Sequence, residues 1–517
     1  MSYPTHAMLL VGRAARAARA ARVPGSALAM AATLFLLSAC SLVPVEHRPV
    51  IDVPANFAAY DNHPLALQPA ESPGRWRPAE PADQQAPSPW WGVFGDPVLV
   101  QLEEEALKAN PDVSIAMARL KQARALVTQS EAAQLPEASA GFGPTRQRTS
   151  GAAAGRGDGA PGSAQTLWRA QASVAYEVDL FGRVSSGVAA ARADADRQQA
   201  LAHQMLLLVQ ADVAKAYFSV RQLECELRLL RDTVKLREDA LSLLERKLGA
   251  GAAAPYVVDQ AKTELFSARS AQLAVEQQQA LASHALAILL GKPPAALSVE
   301  ALPLENVAVR LPPGMPSTLL ERRPDIAAAE RAMTAENARI GVAKAAFFPS
   351  LSLTGSLGYE SAELGNLASW SQRTFLLGPL VGTALGMPIF DGGRRSAEVA
   401  RVRGVYEERV AEYRKTVLQA FREVEDSLVS IRTLDARILQ LRGAEDASSG
   451  VAQSARARFD EGDVDYLVVV DAERTRLRSR QSRIQFEGER ARATVDLVKA
   501  LGGGWELSTD GQSGANG

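Results

Sequence analysis

A proline-free stretch from Arg183 to Leu248 carries a seven-residue apolar repeat, and this repeat most restricts what the chain can fold into. Its first seam consists of Leu206, Val213, Val220, Leu227, Val234, Leu241 and Leu248. A second seam follows three residues further on, and such an a/d pattern requires a facing helix. At about 1.5 Å per residue the helix would reach roughly 100 Å, longer than a compact domain needs. Taken alone, the stretch also fits an ordinary solvent-exposed coiled coil.

The heptad pattern occurs twice. The first four seam residues match Val417, Val424, Ile431 and Ile438, each 211 positions later. Upstream of the seam, Pro111-Asp112 matches Pro324-Asp325 at an offset of 213. The offset between the two copies changes by only two residues along the repeated segment. This indicates a tandem structural duplication in which a loop accounts for the two-residue difference.

The amino terminus predicts a signal peptide over residues 1–39. Four arginines precede an apolar run, Ala27 to Leu37, that is too short for a stable bilayer span. Leu37-Ser38-Ala39-Cys40 resembles a bacterial lipobox, which predicts lipidation at Cys40 and, with Ser41 following it, sorting to the outer membrane. The chain begins at Met1 or at Met8.

The region that follows predicts an extended, lipidated tether over residues 40–89, because residues 41–89 contain ten prolines and no periodic pattern. A cluster of aromatics, Trp90-Trp91-x-x-Phe94, ends it and predicts a hydrophobic clasp, with a ligand site as the alternative. Once Cys40 is acylated, Cys225 has no cysteine with which to pair.

Two segments of alternating apolar and polar residues predict strand hairpins, at about 137–181 and 350–390. Strands of this length with one apolar face fit a membrane barrel, although a half-buried soluble sheet would show the same alternation. Four strands cannot close a barrel, since even small barrels need about eight. Open edges are not tolerated in lipid, so the sequence predicts an oligomer.

The duplication gives the predicted domain layout. Gly251 and Pro255 form the reversal between the long helix and its return helix, and Gly462 forms the second reversal. The first repeat, 90–316, contains a helix, a hairpin, a long helix at 183–249, a return helix at 255–291 and an equatorial linker. The second repeat, 317–503, contains a helix, a hairpin, a long helix at 393–460 and a return helix at 466–501. Residues 504–517 form a tail predicted to be disordered.

Charge and motif content argue against an enzyme. The net charge is −1 with an even spread, which gives no indication of nucleic-acid binding. No His/Cys/Asp cluster has metal-site spacing, and Leu290-Gly291-Lys292-Pro293 lacks the rest of a phosphate loop. We therefore expect no catalytic residues, no cofactor and no metal site.

Several ordered motifs resemble the TolC-like outer-membrane efflux proteins, and more narrowly the lipoprotein branch that serves resistance-nodulation-division (RND) pumps. The resemblance covers roughly residues 41–503 and rests on these motifs: the lipobox, Trp91-x-x-Phe94-x-Asp96-Pro97, Tyr176-Glu177-x-Asp179-x-x-Gly182-Arg183, Arg322-Arg323-Pro324-Asp325-Ile326 and Pro388-Ile389-Phe390-Asp391-x-Gly393-Arg394. It implies an α+β membrane protein: a homotrimer whose twelve-stranded outer-membrane β-barrel, four strands per chain, continues into a long periplasmic α-helical barrel with coiled-coil tips.

The resemblance also implies a function. Such a channel is a passive duct that exports small molecules (drugs, toxic compounds or metal ions) received from an inner-membrane RND pump and a periplasmic adaptor. The family's periplasmic aperture lies on the helix after the second reversal, which places it here at Asp471 of the Asp471-Ala472 pair and at Leu467, one turn earlier on the same face. Some relatives carry a second acid at the position of Val468, so the aperture here depends more on Leu467.

Three alternatives stay open at this stage. Asp471 is also explained as an acid on a solvated helix face. A lipid-anchored coiled-coil scaffold without a pore would share the heptads but has no use for four amphipathic strands. A channel for type I protein secretion would share the whole fold, and only the lipobox and tether favour efflux.

Overall fold

The computed structural model describes residues 89–149, 163–297, 323–377 and 385–503, together with Val43, Pro44 and Pro49. The predicted signal peptide, Cys40, nearly all of the tether, the linker beyond residue 297 and the tail from 504 lie outside these residues. The chain forms two compact units. One contains residues 124–194 and 333–408 with Val43 and Pro44, and the other contains 89–123, 195–332 and 409–503.

Seven helices account for most of the described chain, in an order that repeats. The first copy contributes α1 (Pro97–Ala109), α2 (Pro111–Ala132), α3 (Arg183–Gly249) and α4 (Pro255–Leu289). The second contributes α5 (Pro324–Ala345), α6 (Arg394–Asp460) and α7 (Tyr466–Ala500). The long helices α3 and α6 are both 67 residues long, and the return helices α4 and α7 are both 35.

The sequence predicts one continuous helix after Pro97, whereas the structure divides this segment into two helices at Asn110. Pro111 disfavours a helical conformation in the residue before it, and Asn110 is accordingly extended. The Asn110 side chain then accepts hydrogen bonds from the backbone nitrogens of Asp112 and Val113, at 2.8 and 3.1 Å. It therefore caps α2 at the point where α1 ends.

The strands form one antiparallel sheet in the first unit. Its members are β1 (Glu137–Thr149), β2 (Ser163–Val178), β3 (Ser350–Ser361), β4 (Arg373–Leu377) and β5 (Leu385–Gly386). The order is β1-β2-β3-β4, and β5 also pairs with β3. The last strand of the second hairpin therefore has two described segments, separated by residues 378–384, which lie outside the description. Strands of both sequence copies meet at the β2–β3 pairing.

The main core of the second unit gathers around the aromatic cluster that begins the first repeat. Trp90 is completely buried, and its indole Nε1 donates to Gln210 Oε1 at 3.1 Å. Trp91 and Phe94 pack beside it, and Phe94 lies 5.0 Å from the ring of Phe218 on α3. Both tryptophans are buried and Phe94 is partly buried, so the cluster packs as part of this core.

Asp96 closes this core with a buried ion pair. Its carboxylate caps α1 by accepting from the backbone nitrogens of Val98 and Leu99. The same carboxylate accepts from the Tyr217 hydroxyl at 2.8 Å and from the Arg221 guanidinium at 2.5 Å. One acid thus joins the start of α1 to the side of α3.

Candidate functional site

One face of the sheet is apolar and exposed. Phe142, Ala170 and Tyr359 form a cross-strand row through β1, β2 and β3. Phe142 stacks on Trp168 with 6.0 Å between ring centroids. Phe142 and Leu357 are each 66% exposed in the single chain. Apolar surface of this extent marks contact with lipid or with another protein.

The opposite face of the same strands is polar. The hydroxyls of Ser139 and Ser173 lie 2.8 Å apart across β1 and β2. Arg169 donates to Glu360 at 2.7 Å and to Gln147 at 3.1 Å, which joins residues of three strands. A sheet with one apolar and one polar face has the pattern of a membrane-barrel wall that lines water.

The first helix reversal is formed by Gly251 and Pro255. Gly251 has a φ of +73°, in the left-handed region that glycine adopts without strain. Its nitrogen donates to Leu248 O at 2.9 Å, and the nitrogen of Ala252 donates to Lys247 O at 2.8 Å. Pro255 then occupies the first position of α4, where a missing N–H costs nothing.

The second reversal repeats the first with Gly462 at a φ of +85°. The nitrogen of Asp463 donates to Arg458 O at 2.8 Å, the bond equivalent to the one in the first tip. The Arg458 side chain returns a charged hydrogen bond to the Asp463 carboxylate at 2.8 Å. Asp465 caps α7 by accepting from the nitrogen of Leu467.

The predicted aperture residues lie on the exposed face of the first two turns of α7. The Leu467 residue is 47% exposed, and the Asp471 side chain is 65% exposed. On the opposite face of α7, Val469, Val470 and Ala472 are buried in a cluster with residues of α3, α4 and α6. Packing of this buried face fixes the orientation of α7, so that Leu467 and Asp471 both lie on its exposed face.

A charged cluster beside Asp471 was missed by the sequence interpretation. Arg474 lies 3.7 Å from Asp471 and also donates to Glu264 on α4, with its Nε 3.3 Å from the carboxylate. Glu264 is buried, and Arg237 of α3 lies 3.6 Å from it. The hydrogen bond to Glu264 raises the pKa of Arg474, so this guanidinium stays charged.

The cluster decides the electrostatic setting of Asp471. This carboxylate is not an isolated negative charge, since the Arg474 guanidinium lies one turn further along α7. The spacing of Asp471 and Arg474, three residues apart on a helix, is the one sequence signal that would have suggested their contact. Nothing in the sequence links Arg474 to Glu264, which lies 210 residues away.

Other kinds of site are not seen among the described residues. No three His, Cys, Asp or Glu side chains there approach one another closely enough to hold a metal ion. None of the described helices has the length and hydropathy of a bilayer span. The Cys225 thiol is free and half-buried on α3.

Comparison with known families matches the outer membrane efflux protein family model to two separate ranges, residues 102–292 and 315–503. Each range covers one sequence copy. The shift between their starts is 213 residues and that between their ends is 211, the same offsets that the internal motifs show.

Two curated relatives span nearly the whole chain. The toluene efflux pump outer membrane protein TtgF of Pseudomonas putida is 33% identical over 91% of this chain and 95% of its own. The probable outer membrane lipoprotein SilC of Salmonella typhimurium is 30% identical over 92% of this chain and 97% of its own. The solved outer-membrane channel OprN aligns with a TM-score of 0.78 at 28% identity, over 90% of this chain and all of that chain.

These similarities confirm the predicted fold class, the outer-membrane location and the expectation that the chain is not an enzyme. They also favour efflux over protein secretion, since the relatives named for a transport process are efflux proteins. The chain belongs to the outer membrane efflux protein family and forms the outer-membrane channel of a tripartite efflux system.

Proposed function

We propose that three copies of this chain form a passive duct for small molecules, fed by an inner-membrane RND pump through a periplasmic adaptor. The observation that carries the proposal is the two-faced sheet. Within the described residues β1 pairs only with β2, and β4 only with β3, so both edges of the sheet are open. Three such sheets joined edge to edge give twelve strands, with the apolar faces toward lipid and the polar faces toward water.

The proposed periplasmic aperture consists of Leu467 and Asp471 from each chain. Leucines facing one axis would exclude water, and carboxylates one turn further along would interact with passing ions. Arg474 lies 3.7 Å from Asp471 on the same helix and also pairs with Glu264 of α4, which lies 3.6 Å from Arg237 of α3.

Single-channel conductance in a planar bilayer tests the aperture. We expect a small conductance for the native protein and a clearly larger one for Leu467→Ala/Asp471→Ala. The tandem repeat provides a matched control, because Tyr256 and Gln260 occupy the equivalent positions on α4. Tyr256→Ala/Gln260→Ala should leave the conductance near the native value. A large conductance in all three proteins would place the aperture elsewhere.

We further propose that the channel is anchored by lipid at Cys40. The lipobox supports this, as does the description of the relative SilC as an outer membrane lipoprotein. Cys40→Ser should abolish incorporation of labelled palmitate. Retention of the label in that variant would contradict the assignment.

A further inference from the structure

The chain just after Cys40 lies against α5. Val43 and Pro44 are half-buried, and the Asn337 side chain donates through Nδ2 to Pro44 O at 2.8 Å. Asn337 is only 4% exposed, so its side-chain amide donates to this carbonyl and not to solvent. A buried amide bound to a backbone carbonyl holds one specific stretch of chain in place.

Gly341, one turn after Asn337, makes room for Val43. A Cβ at this position would lie 2.7 Å from Val43 Cγ2 and 2.9 Å from Ser186 Oγ of α3. Both distances are shorter than any ordinary contact, and the two atoms belong to different elements. Glycine inside a helix is destabilising relative to alanine, so its presence here needs a packing reason. The space for Val43 supplies that reason.

The duplicated sequence shows that this arrangement belongs to one copy only. At the offset of 213, Asn337 and Gly341 of α5 correspond to Arg124 and Thr128 of α2. Both first-copy residues are exposed, whereas Asn337 and Gly341 are buried. Helix α2 therefore offers neither the amide nor the gap, although it occupies the equivalent place in the repeat.

The site lies close to the start of the sheet. Helix α5 ends four residues after Gly341, and β3 starts at Ser350. Large apolar side chains there are unusually exposed: Phe347, Phe348, Met387, Ile389 and Phe390, with Ile389 and Phe390 at 94% and 89%. Cys40 is three residues before Val43, and three extended residues span at most about 10 Å. Cys40 therefore stays within about 10 Å of Val43, and an acyl group on it reaches further by its own length.

We propose that Asn337 and Gly341 form a docking site for the segment that follows the acylated cysteine, and that this site fixes where the lipid enters the membrane beside the barrel. The proposal rests on the lipidation of Cys40 put forward above. Docking brings the acyl chains next to the exposed apolar rim of the sheet, so that lipid anchor and strands enter the same bilayer region during assembly.

Thiol accessibility tests the docking itself. We would purify the full acylated chain with Cys225→Ser and Val43→Cys and follow its reaction with a membrane-impermeant maleimide. Adding Gly341→Val should undock the segment and accelerate labelling about tenfold, because the rate follows the population of the open form. Thr128→Val, the equivalent change on α2, should leave the rate unchanged. Equal rates in all three proteins would overturn the proposal.

A second measurement covers the case in which Gly341→Val does not fold. Cysteines placed at 43 and 341 should form a disulfide under mild oxidation, since a Cβ at 341 would lie 2.7 Å from Val43 Cγ2, the position that the sulfur of a cysteine at 43 would take. Cysteines at 43 and 128 should not. Crosslinking of both pairs, or of neither, would show that the segment has no fixed position on α5.

The role in assembly is tested by comparing lipidated and unlipidated chains in cells. Gly341→Val should lower the yield of assembled trimer while palmitate incorporation stays at the native level. When Cys40 is replaced by Ala behind a non-lipoprotein signal peptide, the same change should have no further effect. An equal loss in both backgrounds would make Gly341 merely structural. Conductance of the assembled protein reports on the channel function independently, so the two proposals can fail separately.

Discussion

At the scale of single residues, Asp471 of the proposed aperture belongs to a charged cluster that three helices build. The sequence could propose Leu467 and Asp471 because the resemblance to a known family rests on local motifs. Arg237, Glu264 and Arg474 come from three different helices, and only the packing of the hairpins brings them together. Long-range ion pairs of this kind have no local pattern, so reasoning from one sequence does not find them.

Arg474→Gln should make the channel more selective for cations. The change removes one positive charge per chain beside Asp471, and the carboxylates that remain favour cations. The reversal potential under a KCl gradient measures this, with Arg478→Gln, one turn further along α7, as the control. A reversal potential that moves equally in both variants, or in neither, would separate Arg474 from the aperture.

Glu103 should make the protein less stable as the pH rises. Its carboxyl is fully buried on the packed face of α1 without a hydrogen-bond partner in the described structure, and burial raises its pKa from 4.5 to about 9. Between these values the unfolded chain has lost the proton that the folded chain keeps. The free energy of unfolding therefore falls with pH, by on the order of 1.4 kcal/mol per unit, and levels off above about pH 9.

Glu103→Gln should remove this dependence, because the amide resembles the protonated acid and does not ionise. Thermal unfolding of the detergent-solubilised protein should show the variant more stable than the native protein at pH 8, and similar to it near pH 4. Glu104→Gln, at an exposed position that pairs with Lys108, is the control and should keep the native pH profile. Parallel curves for native protein and Glu103→Gln would contradict the prediction.

At the scale of elements, the strongest periodic signals correspond to the longest elements. The heptad repeat of α3 indicates a helix because seven-residue spacing places apolar side chains on one stripe, and Val213, Val220 and Leu227 are buried. The break at Asn110 was not expected, since apolar spacing continues across Pro111 and hides the conformational effect of the proline. The division of the last strand also left no periodic trace, because each described segment is shorter than the signal requires.

Gly462→Ala should destabilise the second tip by about 1–2 kcal/mol, because alanine in the left-handed region brings its Cβ too close to the carbonyl. The space around Gly462 is open, so the cost is purely one of backbone conformation. Gly450→Ala within α6 is a matched control with the opposite sign, expected to stabilise by about 0.5–1 kcal/mol. Chemical denaturation of both variants measures the difference, and equal signs would exclude this explanation.

At the scale of the whole molecule, the sequence predicted an oligomeric barrel from an argument of closure. Four strands leave two open edges, and the alternation of their residues gives the sheet one apolar and one polar face. The pairing within each hairpin was predicted, but the pairing between the two hairpins was not, because strand alternation says which face a residue occupies and not which strand lies beside it. The β2–β3 pairing, which joins the two sequence copies, is the part that only the structure supplies.

Leu357→Lys should reduce the amount of trimer in the outer membrane, because a charge on the lipid-facing side of a barrel strand costs about 2–4 kcal/mol at mid-depth. Ser356→Lys, one residue earlier on the polar face, should assemble close to the native level. Outer-membrane fractionation followed by unheated gel electrophoresis measures both. Equal assembly of the two variants would indicate that the faces of the sheet are assigned wrongly.

The equal lengths of corresponding helices limit how this protein can change in size. Because α3 matches α6 and α4 matches α7, an insertion in one hairpin alone would displace its tip along the axis by about 1.5 Å per residue. A seven-residue insertion keeps a heptad seam in phase and adds about 10 Å, whereas an insertion of three or four residues locally overwinds or unwinds it. Adaptation to a wider gap between two membranes would therefore favour matched seven-residue insertions in all four helices, so the reach of such a duct should change most readily in steps of about 10 Å.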